Sequence, residues 1–189
     1  MEIYLIRHTR VNCEERVCYG HTDLDVADTF DDELKNVRQR LDWKKNDEIL
    51  AFSSPLVRCK LLAENLVDNT LNFDKRLMEL NFGEWELQKW DSISSDHYVK
   101  WCCEYIETPC PQGESFQDLY KRTTSFFDEI ASKNNDKIAI ITHAGVIRAM
   151  LAYVMELPLH RAFSLRIDYG SISKIKLDGQ IRNIEYINR

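Results

Sequence analysis

The feature that most constrains the fold is Lys137–Thr142 (KIAIIT), a short run that is almost uniformly apolar and rich in β-branched side chains. Such a run is typical of a strand that is covered on both faces, as in a parallel sheet flanked by helices. Glu2–Ile6 and Glu48–Phe52 are also short and apolar. We therefore predict that these three segments form buried strands.

Between and after these strands, apolar residues recur at helical spacing. Ser54 and Pro55 carry the signals of an N-cap and a first helical position, and Ser115 with Asp118 comes close to a capping box. Strands alternating with helices indicate an α/β fold, a three-layer α/β/α sandwich with a mostly parallel central sheet, in one domain over residues 1–189. The predicted helices are Asp31–Trp43, Pro55–Val67, Ser115–Lys133 and Val146–Met155.

The end of the chain has the pattern of a β-hairpin. Two strand-like runs, Ser171–Leu177 and Ile181–Ile187, are separated by Asp178-Gly179, a typical hairpin turn. This hairpin could supply an edge strand for a homodimer, or simply close the sheet, and the sequence does not decide between the two.

Composition excludes several classes of function. The net charge of −6 argues against a general nucleic-acid binder, because phosphate backbones select basic faces. No apolar run approaches the ~20 residues of a membrane helix, and the apolar start of the chain is too short for a signal peptide. We therefore predict a cytoplasmic protein with neither a membrane nor a nucleic-acid partner.

The cysteines are predicted to be free thiols. None has the C-x-x-C spacing of a zinc site, and without an export signal a disulfide set is the weaker alternative. Cys102 and Cys103 are expected to lie on one helix, at positions that pack against the core or lie at the edge of the packed face.

Charged side chains follow the predicted strands, at the edge where parallel sheets bind ligands. Guanidinium groups match phosphate oxygens in pairs, and a helix N-terminus adds free N–H groups. Of two histidines in such a pocket, one can be a nucleophile and the other a hydrogen-bond donor. The residues are Arg7 and His8 after the first strand, Arg58 after the second, and His143, Ala144 and Gly145 after the third.

The alternative interpretations are structural histidines or a metal site. No H-x-H or H-x-x-x-H spacing occurs, and arginines would repel a cation, so we predict no metal. His97 and His160 do not stand beside other candidate site residues in the sequence and are expected at the surface.

Five segments in a fixed order resemble the histidine phosphatase (phosphoglycerate mutase-like) superfamily, and together they span residues 2 to 148. One is the Arg-His pair after the first strand, one the second arginine element, and one an acid-bearing loop. The segments are Leu5–Thr9 (LIRHT), Ser53–Arg58 (SSPLVR), Leu77–Glu86 (LMELNFGEWE), Gly113–Phe116 (GESF) and Thr142–Arg148 (THAGVIR).

This resemblance implies a phosphoglycerate mutase-like fold, no cofactor and a small-molecule phosphomonoester as substrate. It implies that His8 is the nucleophile and that Glu79 donates a proton to the leaving oxygen and then activates water. Glu84 or Glu86 could replace Glu79 in that role. The residues implied to hold the phosphoryl oxygens are Arg7, Arg58 and His143.

The chain departs from the family pattern just after the Arg-His pair. Thr9 stands where glycine is usual, and Arg10 adds positive charge beside the pocket. Asn12 is a candidate for the family's phosphate-contacting asparagine, although its spacing differs. Tyr19 and His21 are candidates for the pocket rim, with loop packing as the alternative.

The segments Val17–Leu24 and Pro111–Ser115 look like the α-ribazole phosphatase branch, whose members remove a 5′-phosphate in cobalamin biosynthesis. Only about thirty residues separate Glu79 from Gly113, which favours hydrolysis over a mutase reaction. The alternatives are a mutase, a broad-specificity phosphatase and a non-enzymatic phosphate-binding module. The tryptophans Trp85, Trp90 and Trp101 could line the pocket, although core packing is the commoner role.

Overall fold

The computed structural model describes residues 1–43, 47–68, 70–93, 96–133, 135–179 and 181–189. Its strands form one sheet with the order β3-β2-β4-β1-β5-β6. The first four run parallel, and the last two are antiparallel to their neighbours. The strands are β1 (Glu2–Arg7), β2 (Ile49–Ser53), β3 (Leu71–Phe73), β4 (Lys137–Thr142), β5 (Ile172–Asp178) and β6 (Ile181–Tyr186).

Helices cover both faces of this sheet and create two separate cores. Because side chains alternate along a strand, Ile3 and Leu5 of β1 join one core, and Tyr4 and Ile6 join the other. The first core contains residues of α4 and α5, and the second contains residues of α1 and α2. The predicted three-layer α/β/α sandwich is therefore confirmed. The helices are α1 (Phe30–Arg40), α2 (Val57–Leu66), α3 (Asp96–Glu104), α4 (Phe116–Ala131) and α5 (Ala144–Val154).

The predicted strands and helices are present, with ends that shift by at most three residues. The capping box of Ser115 and Asp118 is confirmed at the start of α4, and the hairpin forms from β5 and β6. Within the described residues no helix is long and apolar enough to cross a bilayer.

The prediction that Ser54 caps α2 is wrong. The helix begins at Val57 with Leu56 at the cap position, and no side chain caps it. The hydroxyl of Ser54 accepts from the N–H of Leu56 at 3.4 Å, in the turn before the helix, and lies 2.8 Å from His143 Nε2.

The cysteines are free thiols, as predicted. Cys102 and Cys103 do share a helix, α3, but both side chains are exposed there. Their predicted contribution to packing is therefore wrong.

The sheet register brings the ends of three strands together. Arg7 of β1 pairs with Thr142 of β4, and Ser53 of β2 pairs with Ile141. The ladder continues one step further, because the N–H of His8 donates to the carbonyl of Thr142 at 3.0 Å. His8, Ser54 and His143 therefore leave the sheet at the same edge.

Candidate active site

A cavity of about 650 Å³ opens at this edge of the sheet. Predicted site residues lie in its wall, among them Arg7, His8, Tyr19, Glu79 and Ala144. A larger open groove of about 1300 Å³ lies near the chain start, by Met1 and Asp136, and contains none of the predicted site residues. The smaller cavity is therefore the candidate active site.

His8 is held in one tautomer by the backbone. Its Nδ1 lies 2.7 Å from the carbonyl oxygen of Thr9. A carbonyl only accepts, so Nδ1 carries the proton and Nε2 keeps its lone pair. Burial, followed by the charges of Arg7 and Arg58, lowers the pKa of His8 well below its ordinary value. His8 is consequently a neutral imidazole with an unprotonated Nε2 at neutral pH.

Arg7 presents its guanidinium to the cavity next to His8. Its Nη1 donates to the carbonyl of Ile167 at 2.7 Å, and its Cζ lies 3.7 Å from the centroid of the Tyr169 ring. The buried Nε has no hydrogen-bond partner among the described residues. Since a buried donor without a partner is costly, this Nε is available to an incoming acceptor.

Arg58 is fully buried behind the cavity wall. Its Nη1 donates to the carbonyl of Thr22 at 2.9 Å and its Nη2 to that of Gly20 at 2.6 Å. Within the described part of the chain its Nε is without a partner too. Two carbonyl dipoles thus hold a cation in place without neutralising it, and its charge acts on both histidines.

His143 is also fully buried and packs edge-on against His8, with ring centroids 5.0 Å apart. Its Nε2 lies 2.8 Å from Ser54 Oγ and 3.4 Å from Cys59 Sγ. Burial lowers the pKa of His143 well below its ordinary value, and Arg58 adds to this. The prediction that His143 lies beside His8 is confirmed, but it supports the site from behind and does not line the cavity.

Glu79 is held at the start of α5. Its Oε2 accepts from the N–H of Gly145 at 3.1 Å, and its Oε1 accepts from its neighbour Leu80 at 3.0 Å. A Cβ at position 145 would overlap Oε1, so this approach of carboxylate to backbone requires glycine. The carboxyl of Glu79 therefore sits on the helix N-terminus, beside Ala144 in the cavity wall.

Neither alternative acid faces the cavity. Glu84 is exposed, and Glu86 accepts from the backbone N–H groups of His21 at 2.8 Å and Phe82 at 3.1 Å, and from Thr22. Burial alone would raise the pKa of Glu86, but these hydrogen bonds outweigh it and hold the pKa below its ordinary value. Glu86 holds two loops together, so of the three candidate acids Glu79, Glu84 and Glu86 only Glu79 lies in the cavity wall.

Two predicted contacts fall outside the cavity wall. Asn12 is exposed, and its backbone N–H donates to the carbonyl of Asp25 at 2.9 Å. His21 is turned towards Glu114, with 4.0 Å between His21 Nε2 and the nearest carboxylate oxygen. Tyr19, in contrast, lines the cavity as predicted for the rim.

The unusual Thr9 is buried and has no positive φ. Position 9 therefore does not require a glycine backbone, and Thr9 supplies the carbonyl that orients His8. Arg10 lies at the cavity rim, where Glu33 pairs with it at 3.1 Å.

Two residues that shape the site were not among the predicted ones. Tyr169 lies in the cavity wall against Arg7, and no motif or spacing singles it out. Arg122 of α4 donates to the carbonyls of Met78 and Glu79 and to the carboxylate of Glu114. A basic residue one helical turn beyond the capping box was the available signal, but it resembles any surface arginine.

Comparison with known proteins agrees with this geometry. The model of the histidine phosphatase superfamily (branch 1) matches residues 3–189. The adenosylcobalamin/alpha-ribazole phosphatase of Escherichia coli is 22% identical, over 100% of this chain and 96% of that protein. Phosphoserine phosphatase 1 of Hydrogenobacter thermophilus is 24% identical, over 97% of this chain and 90% of that protein.

The crystal structure of the alpha-ribazole phosphatase of Shigella flexneri has the same fold, with a TM-score of 0.91 and 22% identity over 100% of this chain and 96% of that one. These relatives support a phosphatase reaction in general terms. Because the family model covers nearly the whole chain, the chain belongs to the histidine phosphatase superfamily, branch 1.

Proposed function

We propose that the protein is a metal-independent phosphomonoesterase that works through a phosphohistidine at His8. The observation that carries the proposal is the hydrogen bond from His8 Nδ1 to the Thr9 carbonyl, 2.7 Å long. It directs the lone pair to Nε2, and the lowered pKa of His8 keeps that lone pair free of a proton.

In the first step, Nε2 of His8 attacks phosphorus, and the bond from phosphorus to the leaving oxygen breaks. The leaving oxygen takes a proton from the carboxyl of Glu79, since an alkoxide is a poor leaving group. General acid catalysis of this kind contributes about 10²–10⁴-fold. The guanidinium of Arg7 stabilises the charge on the phosphoryl oxygens from the cavity wall, and the guanidinium of Arg58 and the imidazole of His143 do so from behind it.

In the second step, the carboxylate of Glu79 takes a proton from water, and the water oxygen attacks phosphorus. The bond to His8 Nε2 breaks, inorganic phosphate leaves, and both residues return to their starting protonation. One carboxyl thus serves as acid and then as base. Its place on the cavity wall, held by the N–H of Gly145, supports this assignment.

For the substrate we propose the 5′-phosphate of α-ribazole or of its cobamide, in cobalamin biosynthesis. Phe82 and Trp90 line the cavity and pack edge to face, with centroids 5.2 Å apart. A wall of this kind and a volume of about 650 Å³ fit a leaving group with an aromatic base, whereas phosphoserine would fill a small part of it. The relatives named alpha-ribazole phosphatases support the same choice.

The phosphoenzyme is tested by rapid quenching with a labelled phosphomonoester. We expect label on the protein that survives alkali and is lost in acid, and none on a His8→Asn variant. A His160→Asn variant is the matched control, because His160 is exposed and outside the cavity wall. A His8→Asn variant that kept full activity would overturn the proposal.

The substrate is tested with a panel of α-ribazole phosphate, phosphoserine, 3-phosphoglycerate and fructose bisphosphates. We expect the highest kcat/KM with α-ribazole phosphate. Isomerised product without free phosphate would indicate a mutase instead, and tight phosphate binding without turnover would indicate a binding module. A cytoplasmic location and a homodimer through the β5–β6 hairpin stay predictions.

A further inference from the structure

Two tyrosines link the two arginines of the site. Tyr19 and Tyr169 both line the cavity, and their hydroxyl oxygens lie 2.5 Å apart. The Cζ of Arg7 lies 3.7 Å from the centroid of the Tyr169 ring, and the Cζ of Arg58 lies 5.4 Å from that of Tyr19. The side chains therefore form one chain of contacts, from guanidinium to ring to ring to guanidinium, beside His8.

The two tyrosine rings offset the electrostatic repulsion between the two guanidiniums. Two guanidiniums near one phosphoryl site repel each other, and each is attracted to the negative face of an aromatic ring. The hydrogen bond between the phenols fixes the spacing of the two rings. It thereby also fixes the spacing of Arg7 and Arg58.

Arg7 depends on its ring more than Arg58 does. Arg58 has two backbone carbonyls on its Nη atoms, whereas Arg7 has the single carbonyl of Ile167 on Nη1. One hydrogen bond leaves the guanidinium free to rotate about it, and the stack on Tyr169 sets the remaining angle.

The backbone around Tyr169 is tied to the end of β1 that carries the nucleophile. The N–H of Gly170 donates to the carbonyl of His8 at 3.1 Å, and the N–H of Arg7 donates to that of Ser171 at 3.0 Å. The Tyr169 ring also lies 5.6 Å from the His8 ring, centroid to centroid. Ring, guanidinium and nucleophile are thus held in one frame.

We propose that Tyr169, steadied by Tyr19, is a positioning residue that sets the plane of Arg7 for the phosphoryl group, and that its ring contributes more than its hydroxyl. This inference rests on the proposed function, because it assigns phosphate binding to Arg7.

The test compares Tyr169→Phe, which keeps the ring, with Tyr169→Leu, which removes it. If the stack holds Arg7 in its binding orientation, the free energy of this contact in a desolvated site, equivalent to roughly a tenfold change in Kd, sets the scale of the loss. We expect Tyr169→Leu to raise the Kd of inorganic phosphate, measured by calorimetry, by about that factor, and to raise KM more than it lowers kcat. Tyr169→Phe and Tyr19→Phe remove the same hydrogen bond and keep both rings, so each should raise the phosphate Kd by less than Tyr169→Leu does. The double variant should raise it no more than either single variant.

Tyr153→Phe is the matched control, because its phenol donates to Asp128 away from this cavity. To distinguish positioning of Arg7 from a merely structural role, Tyr169→Leu is repeated in an Arg7→Met background. If Tyr169 acts through Arg7, the phosphate Kd should not change further there. Should Tyr169→Leu not fold, Tyr169→Met gives a flexible side chain of similar bulk for the same comparison.

An unchanged phosphate Kd in the Leu or Met variant would overturn the inference, as would equal losses in the Phe and Leu variants. Failure of the proposed function would give another result, namely a wild-type protein that binds phosphate without turnover. The phosphate Kd values of the variants could still be compared in that case.

Discussion

Addition of one methyl group at Gly145 should disable Glu79 while the fold persists. The new Cβ would overlap Glu79 Oε1, and its next neighbour in the core, Leu119 Cδ1, is at 3.4 Å and can yield slightly. Because Gly145 lies in the first turn of α5, the backbone has little room to move, so the carboxylate must swing away from the helix N-terminus.

The cost in stability should be small. Displacement of the carboxylate loses one hydrogen bond to a charged group, worth about 1.5–3 kcal/mol. Replacement of glycine by alanine in a helix returns about 1 kcal/mol. We therefore expect the free energy of unfolding of Gly145→Ala to fall by about 0.5–2 kcal/mol, as measured by urea denaturation.

The cost in catalysis should be large and should depend on the leaving group. An alkyl phosphate needs a proton on its leaving oxygen, so kcat/KM should fall by about 10²–10⁴-fold. 4-Nitrophenyl phosphate leaves as a stabilised phenolate, so the same variant should lose much less with it. Steady-state kinetics with the two substrates measures this contrast.

A double-mutant cycle tests whether the effect passes through Glu79. Groups that act through one contact are not additive, so Gly145→Ala in a Glu79→Gln background should cause little further loss. If the two losses multiply, or if both leaving groups suffer equally, the reasoning is refuted.

Three further predictions concern the surroundings of the site. Arg122→Leu removes the donor shared by the Glu79 loop and Glu114, so urea denaturation should show a loss of about 2–4 kcal/mol. The pKa values of His8 and His143 lie well below the ordinary 6.5, so below that pH these histidines gain protons only in the unfolded chain. The free energy of unfolding should therefore fall by about 1 kcal/mol per histidine from pH 6.5 to 5.5. His143→Gln should remove its share of this loss. Dialysis against a chelator should leave turnover unchanged, because guanidiniums supply the positive charge.

The strand ends could be predicted because buried strands have an unmistakable pattern. KIAIIT located His143, and the shorter run before Arg7 located His8, so the central pair of the site followed from sequence. The strand β3 could not be found in this way, since it is only three residues long and two of them, Asn72 and Phe73, are exposed.

Side chains that reach the site from distant segments escaped prediction for a different reason. Tyr169 meets Arg7, and Arg122 meets the Glu79 loop, only once the sheet and α4 have formed. No local spacing encodes such contacts. Ser54 shows the opposite case, a local signal that misplaced the start of the helix. Its hydroxyl accepts from the N–H of Leu56 in the turn before α2 and contacts His143 across the fold.

The threonine after His8 shows why a departure from the family pattern can leave the orientation of this histidine intact. What His8 takes from position 9 is a carbonyl oxygen, which every residue type provides. The backbone there has no positive φ, so a β-branched side chain meets no conformational penalty. The Thr9 side chain is buried, and its hydroxyl finds no partner among the described residues. Threonine at position 9 therefore leaves the tautomer of His8 unchanged and adds one hydroxyl group next to this histidine.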